Sequence, residues 1–194
     1  MTVFIIFIGL FVAVASIALS ILLAHFLLLA ILKVPYAPTP RPIIEQLLTT
    51  LNIKCGITVY DIGCGDGRFL IAAAQRGATA KGFEAAPLPY CKARLAIWRS
   101  NLSNIQLYYG NAFKAQLNDA DIIFCFMTHR VMPLLEEKIH SLTKPCIVVT
   151  YGFALPTLVP YQIVTPNPAN TRSSKLFFYR HSPTSSIDPA AKSM

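Results

Sequence analysis

Residues 3–32 read V-F-I-I-F-I-G-L-F-V-A-V-A-S-I-A-L-S-I-L-L-A-H-F-L-L-L-A-I-L, an apolar run without a single Asp, Glu, Lys or Arg. As a helix it extends about 45 Å against a hydrocarbon core of about 30 Å, enough to span a bilayer with tilt or to emerge at one end. A secretory signal carries a basic start and a shorter apolar stretch; with no Lys or Arg ahead of this run, a retained anchor is the better reading than a cleaved signal. His25 is tolerated near the helix end and is assigned no function.

Beyond residue 33 the pattern changes to short apolar runs alternating with helical periodicity. Residues 58–62 (T-V-Y-D-I) predict a buried parallel strand and 69–75 a helix. A second strand over 78–83 is followed by a helix over 89–100, with Leu95 and Trp98 expected toward the sheet and Lys92, Arg94 and Arg99 outward. Strands over 105–109, 121–127 and 146–151, a helix over 131–142 and a final strand over 175–180 complete the pattern. The alternation predicts an α/β fold with a doubly wound, mostly parallel sheet. Three segments result: an anchor over 1–33, one domain over 34–182, and a Ser-, Pro- and Ala-rich tail over 183–194 expected to be disordered.

Charge sharpens this division. All 17 Lys and Arg and all nine Asp and Glu follow residue 32, so the net charge of +8 belongs to the domain and tail. Lys33, Arg41 and Lys54 follow the span, which places the domain on the cytoplasmic, or an equivalent, side. Scattered basic residues without a helix-turn-helix or RNA-binding signature argue for orientation on anionic lipid and against nucleic acid. Five cysteines, odd in number and without C-x-x-C spacing, argue against a disulfide framework and a metal site.

Candidate chemistry gathers at residues 59–67, V-Y-D-I-G-C-G-D-G, where an apolar strand closes on an acid and enters a glycine turn. Gly63, Gly65 and Gly67 let the backbone approach a ligand closely. A dinucleotide fold wants G-x-G-x-x-G with a pyrophosphate on the helix N-terminus. Here Asp61 and Asp66 flank the turn; they would repel a pyrophosphate and attract the ammonium and sulfonium of S-adenosylmethionine. Glu84, 23 residues after Asp61, ends the second strand where a carboxylate can accept hydrogen bonds from ribose hydroxyls. The simpler alternative is a glycine turn whose aspartates only cap the next helix. Loop, strand and second acid together favour the cofactor.

These residues resemble the class I S-adenosylmethionine-dependent methyltransferases. Within them they resemble the membrane-anchored lysine N-methyltransferases that modify the c subunit of ATP synthase and the ADP/ATP carrier. The segment P-Y-A-P-T-P at 35–40 resembles that family's P-Y-V-P, and 61–68 resembles its D-L-G-S-G-D-G-R with Cys64 in place of the serine. Gly82, Phe83, Glu84 and Pro87 resemble its G-Y-E-L-N-P, A-I-W-R at 96–99 an A-W-R segment, 132–139 its M-x-x-L-E-K-K-L, and 177–179 a terminal W-x-Y. The resemblance implies that Asp61, Gly63, Gly65 and Asp66 line the methionine moiety, with Cys64 and Gly67 in the same loop. It further implies that Glu84 holds the ribose and that Tyr36 and Thr39 help close the site. Where the family has an acid for the adenine amino group this chain has Asn111, whose amide oxygen can accept the same bond without charge assistance.

His129, just past the fourth strand, is the candidate base for a lysine substrate, and equally reads as a surface residue opening a helix. The N-P-P-Y type motif of many N-methyltransferases is replaced by F-C-F-M-T-H-R. The expected function is methylation of a lysine on a membrane protein. The alternatives are methylation of a lipid, quinone or other small molecule, and a cofactor-binding scaffold without catalysis.

Overall fold

The computed structural model describes residues 2–32, 38–166 and 174–183. Tyr36, and the expected tail beyond Pro183, lie outside the described residues. Helix α1 spans Thr2–Leu32 and α2 Arg41–Thr50. From there strands and helices alternate: β1 (Thr58–Ile62), α3 (Arg68–Gln75), β2 (Thr79–Glu84), α4 (Pro87–Ser100), β3 (Ile105–Tyr109), β4 (Ile122–Cys125), α5 (Met132–His140) and β5 (Cys146–Tyr151). The short β6 (Gln162–Val164) and β7 (Leu176–His181) follow.

The seven strands lie in the order β3-β2-β1-β4-β5-β7-β6. The first five pair in parallel, and β7 runs antiparallel between β5 and β6. The central β1 is buried on both faces, which is why it reads as an apolar run and not as an alternation. One core cluster packs Leu47 and Leu48 of α2 and Phe69 and Leu70 of α3 against Val59, Phe124 and Val149. The other packs Met132, Leu135 and Ile139 of α5 against Tyr60, Ile62, Ile123 and Val148. Chain order reverses between β1 and β4, and the crevice at the carboxyl ends of those strands is where such sheets take ligands.

Two elements depart from expectation. Helix α4 buries Pro89 and Ala93, whereas Leu95 and Trp98 face outward, Trp98 with 76% of its surface exposed. The cause is the close approach of α4 to the glycine turn. A Cβ on Gly67 would sit 3.2 Å from the Cβ of Ala93, so small residues take the inner stripe and the bulky ones fall outside it. Helix α2 has no counterpart in the elements expected from the sequence; its apolar pairs Ile43/Leu47 and Ile44/Leu48 bury one face against α3 and the sheet.

Helix α1 is, among the described residues, the one helix long and apolar enough to cross a membrane, over Phe4–Leu28. Its described side chains stand largely exposed except His25, which is buried with Nδ1 unpartnered, and none of them joins either core cluster.

Candidate active site

A half-open cavity of about 210 Å³ lies at the carboxyl ends of β1, β2 and β4. Its floor is the end of β1 with the turn at 63–66 and Arg68; one wall is Glu84 to Ala86, another Gly110 to Phe113. Gly63, Gly65 and Gly67 all take positive φ (78°, 60° and 78°), and Gly67 at the head of α3 is the position where both that backbone and the neighbouring Ala93 demand glycine.

Three carboxylates converge on this cavity. Asp61 is 4% exposed, and burial, followed by the charges of Glu84 and Asp66, holds its carboxyl well above the ordinary range. Glu84 accepts from the backbone N–H of Gly65 at 2.9 Å through Oε2 and from that of Ala86 at 2.8 Å through Oε1. It therefore ties the glycine turn to the head of α4. Burial raises its pKa and those two N–H groups work against the rise. Asp66 pairs with Arg68, Nη2 to Oδ2 2.6 Å, and Arg68 Nη1 donates to the carbonyl of Thr39 at 3.2 Å. One guanidinium thus joins the segment ahead of α2 to the turn. Asp61, buried beside two other acids, is the one of the three whose surroundings only raise its pKa, and a ligand that brings positive charge relieves it.

The opposite wall is apolar: Phe126 and Met127 past the end of β4, and Val131 and Leu134 at the start of α5, with Leu134 half exposed at the rim. It surrounds an acceptor with low dielectric. Thr128 Oγ1 is buried beside it without a hydrogen-bond partner among the described residues.

Of the residues singled out in the sequence, Thr39, Asp61, Gly63, Cys64, Gly65, Asp66, Glu84 and Asn111 line this one cavity. Gly67 does not line it and acts on the backbone beneath. Burial pushes the Cys64 thiol far up, so it is a small buried neutral group with no nucleophilic character. The Asn111 amide oxygen already accepts from the Phe113 N–H at 2.9 Å, holding a short 3-10 turn. His129 stands outside the lining, its ring against Phe153 with centroids 5.7 Å apart. Sequence reasoning gives no role to Arg68 or Phe113; the arginine is visible as the last letter of the turn motif, but its Thr39 partner lies 29 positions away.

Sheet order, reversed β7 and an acidic glycine turn at the switch point define an S-adenosylmethionine-dependent methyltransferase domain. Residues 61–162 match the family described as the ANTKMT methyltransferase domain, and the chain belongs to that family. It is 32% identical over 134 residues to the Xenopus laevis lysine N-methyltransferase named for the c subunit of ATP synthase, covering 68% of this chain and 59% of that one. It is 35% identical over 136 residues to the adenine nucleotide translocase lysine N-methyltransferase of Mus musculus, covering 69% and 59%. The chain therefore spans about three fifths of the length of these relatives. Among solved structures, an RNA methyltransferase from Salinibacter ruber bound to S-adenosyl-L-homocysteine superposes with a TM-score of 0.68 at 24% identity, over 77% of this chain and 95% of that one. That likeness shows the fold.

Proposed function

We propose that this chain is a membrane-anchored protein-lysine N-methyltransferase, with residues 1–33 as anchor, 34–182 as catalytic domain on the cytoplasmic or an equivalent side, and a lysine of an integral membrane protein as acceptor. The observation that carries it is the acidic cradle of Asp61 and Glu84 facing an apolar wall within one cavity. In this reading Asp61 and the turn from Gly63 to Asp66 receive the methionine ammonium, and Glu84 receives the ribose hydroxyls. Asn111 and Phe113 border the adenine, and Thr39, with Tyr36 ahead of it, closes the site.

The cofactor supplies a methyl group already activated by its sulfonium. Held by Asp61, the 63–66 turn and Glu84, it would supply that methyl to a neutral lysine nitrogen, leaving as the thioether, with the surplus proton of the methylated amine passing to solvent. Alignment and exclusion of water are what the protein must provide. The wall of Phe126, Met127 and Val131 disfavours an ammonium by desolvation, so it lowers the lysine pKa as the side chain enters. His129 lies outside the lining, and its replacement by Gln is expected to cost less than about tenfold in kcat, short of the loss that follows removal of a general base.

The apolar wall also supports a second reading, a membrane-soluble small molecule as acceptor. Membranes incubated with the full-length chain and methyl-labelled S-adenosylmethionine separate the two. Label on a lysine of a membrane peptide, lost with Glu84→Gln, is the expected result. Label that partitions into organic solvent with the lipids would replace lysine by the second reading.

A further inference from the structure

Helix α4 carries its bulky residues on the wrong side for a core. Leu95 and Trp98, about one turn apart, are both exposed, and Leu95 lines a groove of about 760 Å³ formed between α2, α3 and α4. Four cations line that groove, Arg41, Arg68, Lys92 and Arg99, against two acids, Glu45 and Asp66. The groove thus carries two more cations than acids, with Leu95 in its lining and Trp98 exposed on the same helix. An exposed tryptophan beside clustered Lys and Arg is the composition of a surface that lies in the headgroup layer of an anionic bilayer.

The tether sets the distance. Arg41 follows Leu32, the end of α1, by nine positions, so the edge of the groove lies within about 32 Å of the end of the helix, even with the chain between them fully extended.

We propose that the outer face of α4 and the head of α2 form a second membrane contact, which takes the anionic phospholipid headgroups of the same bilayer that holds α1. This rests on the anchor reading above. Asp66 and Arg68 border both the groove and the active-site cavity, so docking this face brings the cavity to the bilayer surface, within reach of an embedded lysine.

Trp98 is the only tryptophan in the chain and so reports on its own environment. The full-length chain is placed in nanodiscs of phosphatidylcholine alone or with phosphatidylglycerol, each with and without bromine on the acyl chains next to the headgroups. Expected is a blue-shifted Trp98 emission and at least twofold stronger quenching by brominated lipid when phosphatidylglycerol is present. The triple variant Arg41→Gln, Lys92→Gln, Arg99→Gln should lose that dependence while keeping its affinity for S-adenosylmethionine. Emission that stays water-like and unquenched in both discs overturns the proposal. So does emission that is blue-shifted but unquenched, which would put a protein partner or a second copy on the face. Failure of the chain to co-purify with discs overturns the anchor reading, and this proposal with it, by a separate readout.

Discussion

Asp61 is buried and Glu84 partly buried, and the pKa values of both carboxylates are raised, so in the cofactor-free native protein these two groups hold protons more tightly than in the unfolded chain. Their contribution to stability is therefore expected to fall as pH rises through and above the ordinary carboxylate range, the reverse of Asp119 and Asp121, whose pKa values are lowered. A bound cation favours the ionised forms. Binding of S-adenosylmethionine should then release protons and tighten as pH rises through that same interval; titration calorimetry in buffers of differing ionisation enthalpy measures the release directly. Glu84→Gln removes the charge that meets the ribose, and a cofactor affinity about ten- to a hundredfold weaker with little change in melting temperature is the expected outcome. A variant that binds normally but melts early would make Glu84 a brace for the turn and no more. The two acids are legible in the sequence because their neighbours, a strand end and a glycine turn, are local. The bond of Arg68 to the Thr39 carbonyl is not, since nothing in residues 61–68 specifies which distant backbone will come to them. Nor is the capping bond that already occupies the Asn111 amide oxygen.

Elements are legible where one periodicity dominates. Strands β1, β3 and β5 have the expected bounds because both faces of each are set by a plain apolar run or a clear turn on either side. Helix α4 lies where its pattern puts it but is turned the other way: the usual rule sends Leu and Trp inward, and here backbone proximity at Gly67 and Ala93 overrides side-chain hydrophobicity. Helix α2 is hidden behind a Pro-rich stretch, although Leu47 and Leu48 prove to be among the most buried side chains. Leu47→Ala should cost about 2–5 kcal/mol, a cavity between α2, α3 and the sheet, seen as a lower denaturation midpoint. A loss under about 1 kcal/mol would mean that α2 detaches without consequence. The antiparallel sense of β7 is beyond the sequence, because a strand pattern carries no sign for its direction and only the crossover that precedes it decides.

On the scale of the whole molecule, the proposed anchor shares neither core cluster with the catalytic fold, and one charge links the two, His25 acting on Glu84. No described side chain of α1 enters either core cluster, and its apolar surface stands exposed along Phe4–Leu28, an area that water penalises and a bilayer accepts. A chain lacking residues 1–32 should therefore fold, and bind S-adenosylmethionine with an affinity changed by less than about tenfold, the share that the His25 charge on Glu84 can carry. What it should lose is encounter. Tethering confines enzyme and embedded acceptor to one surface, and effective-concentration gains of about 10² to 10⁴ are usual for such linkage. The expected signature is a rate on native membranes that falls at least about a hundredfold on deletion, while the rate on a soluble lysine peptide carrying the same acceptor sequence is unaltered. Equal loss on both substrates would show that α1 completes the site and does not merely deliver it, and the buried imidazole of His25 would then be the first side chain to replace.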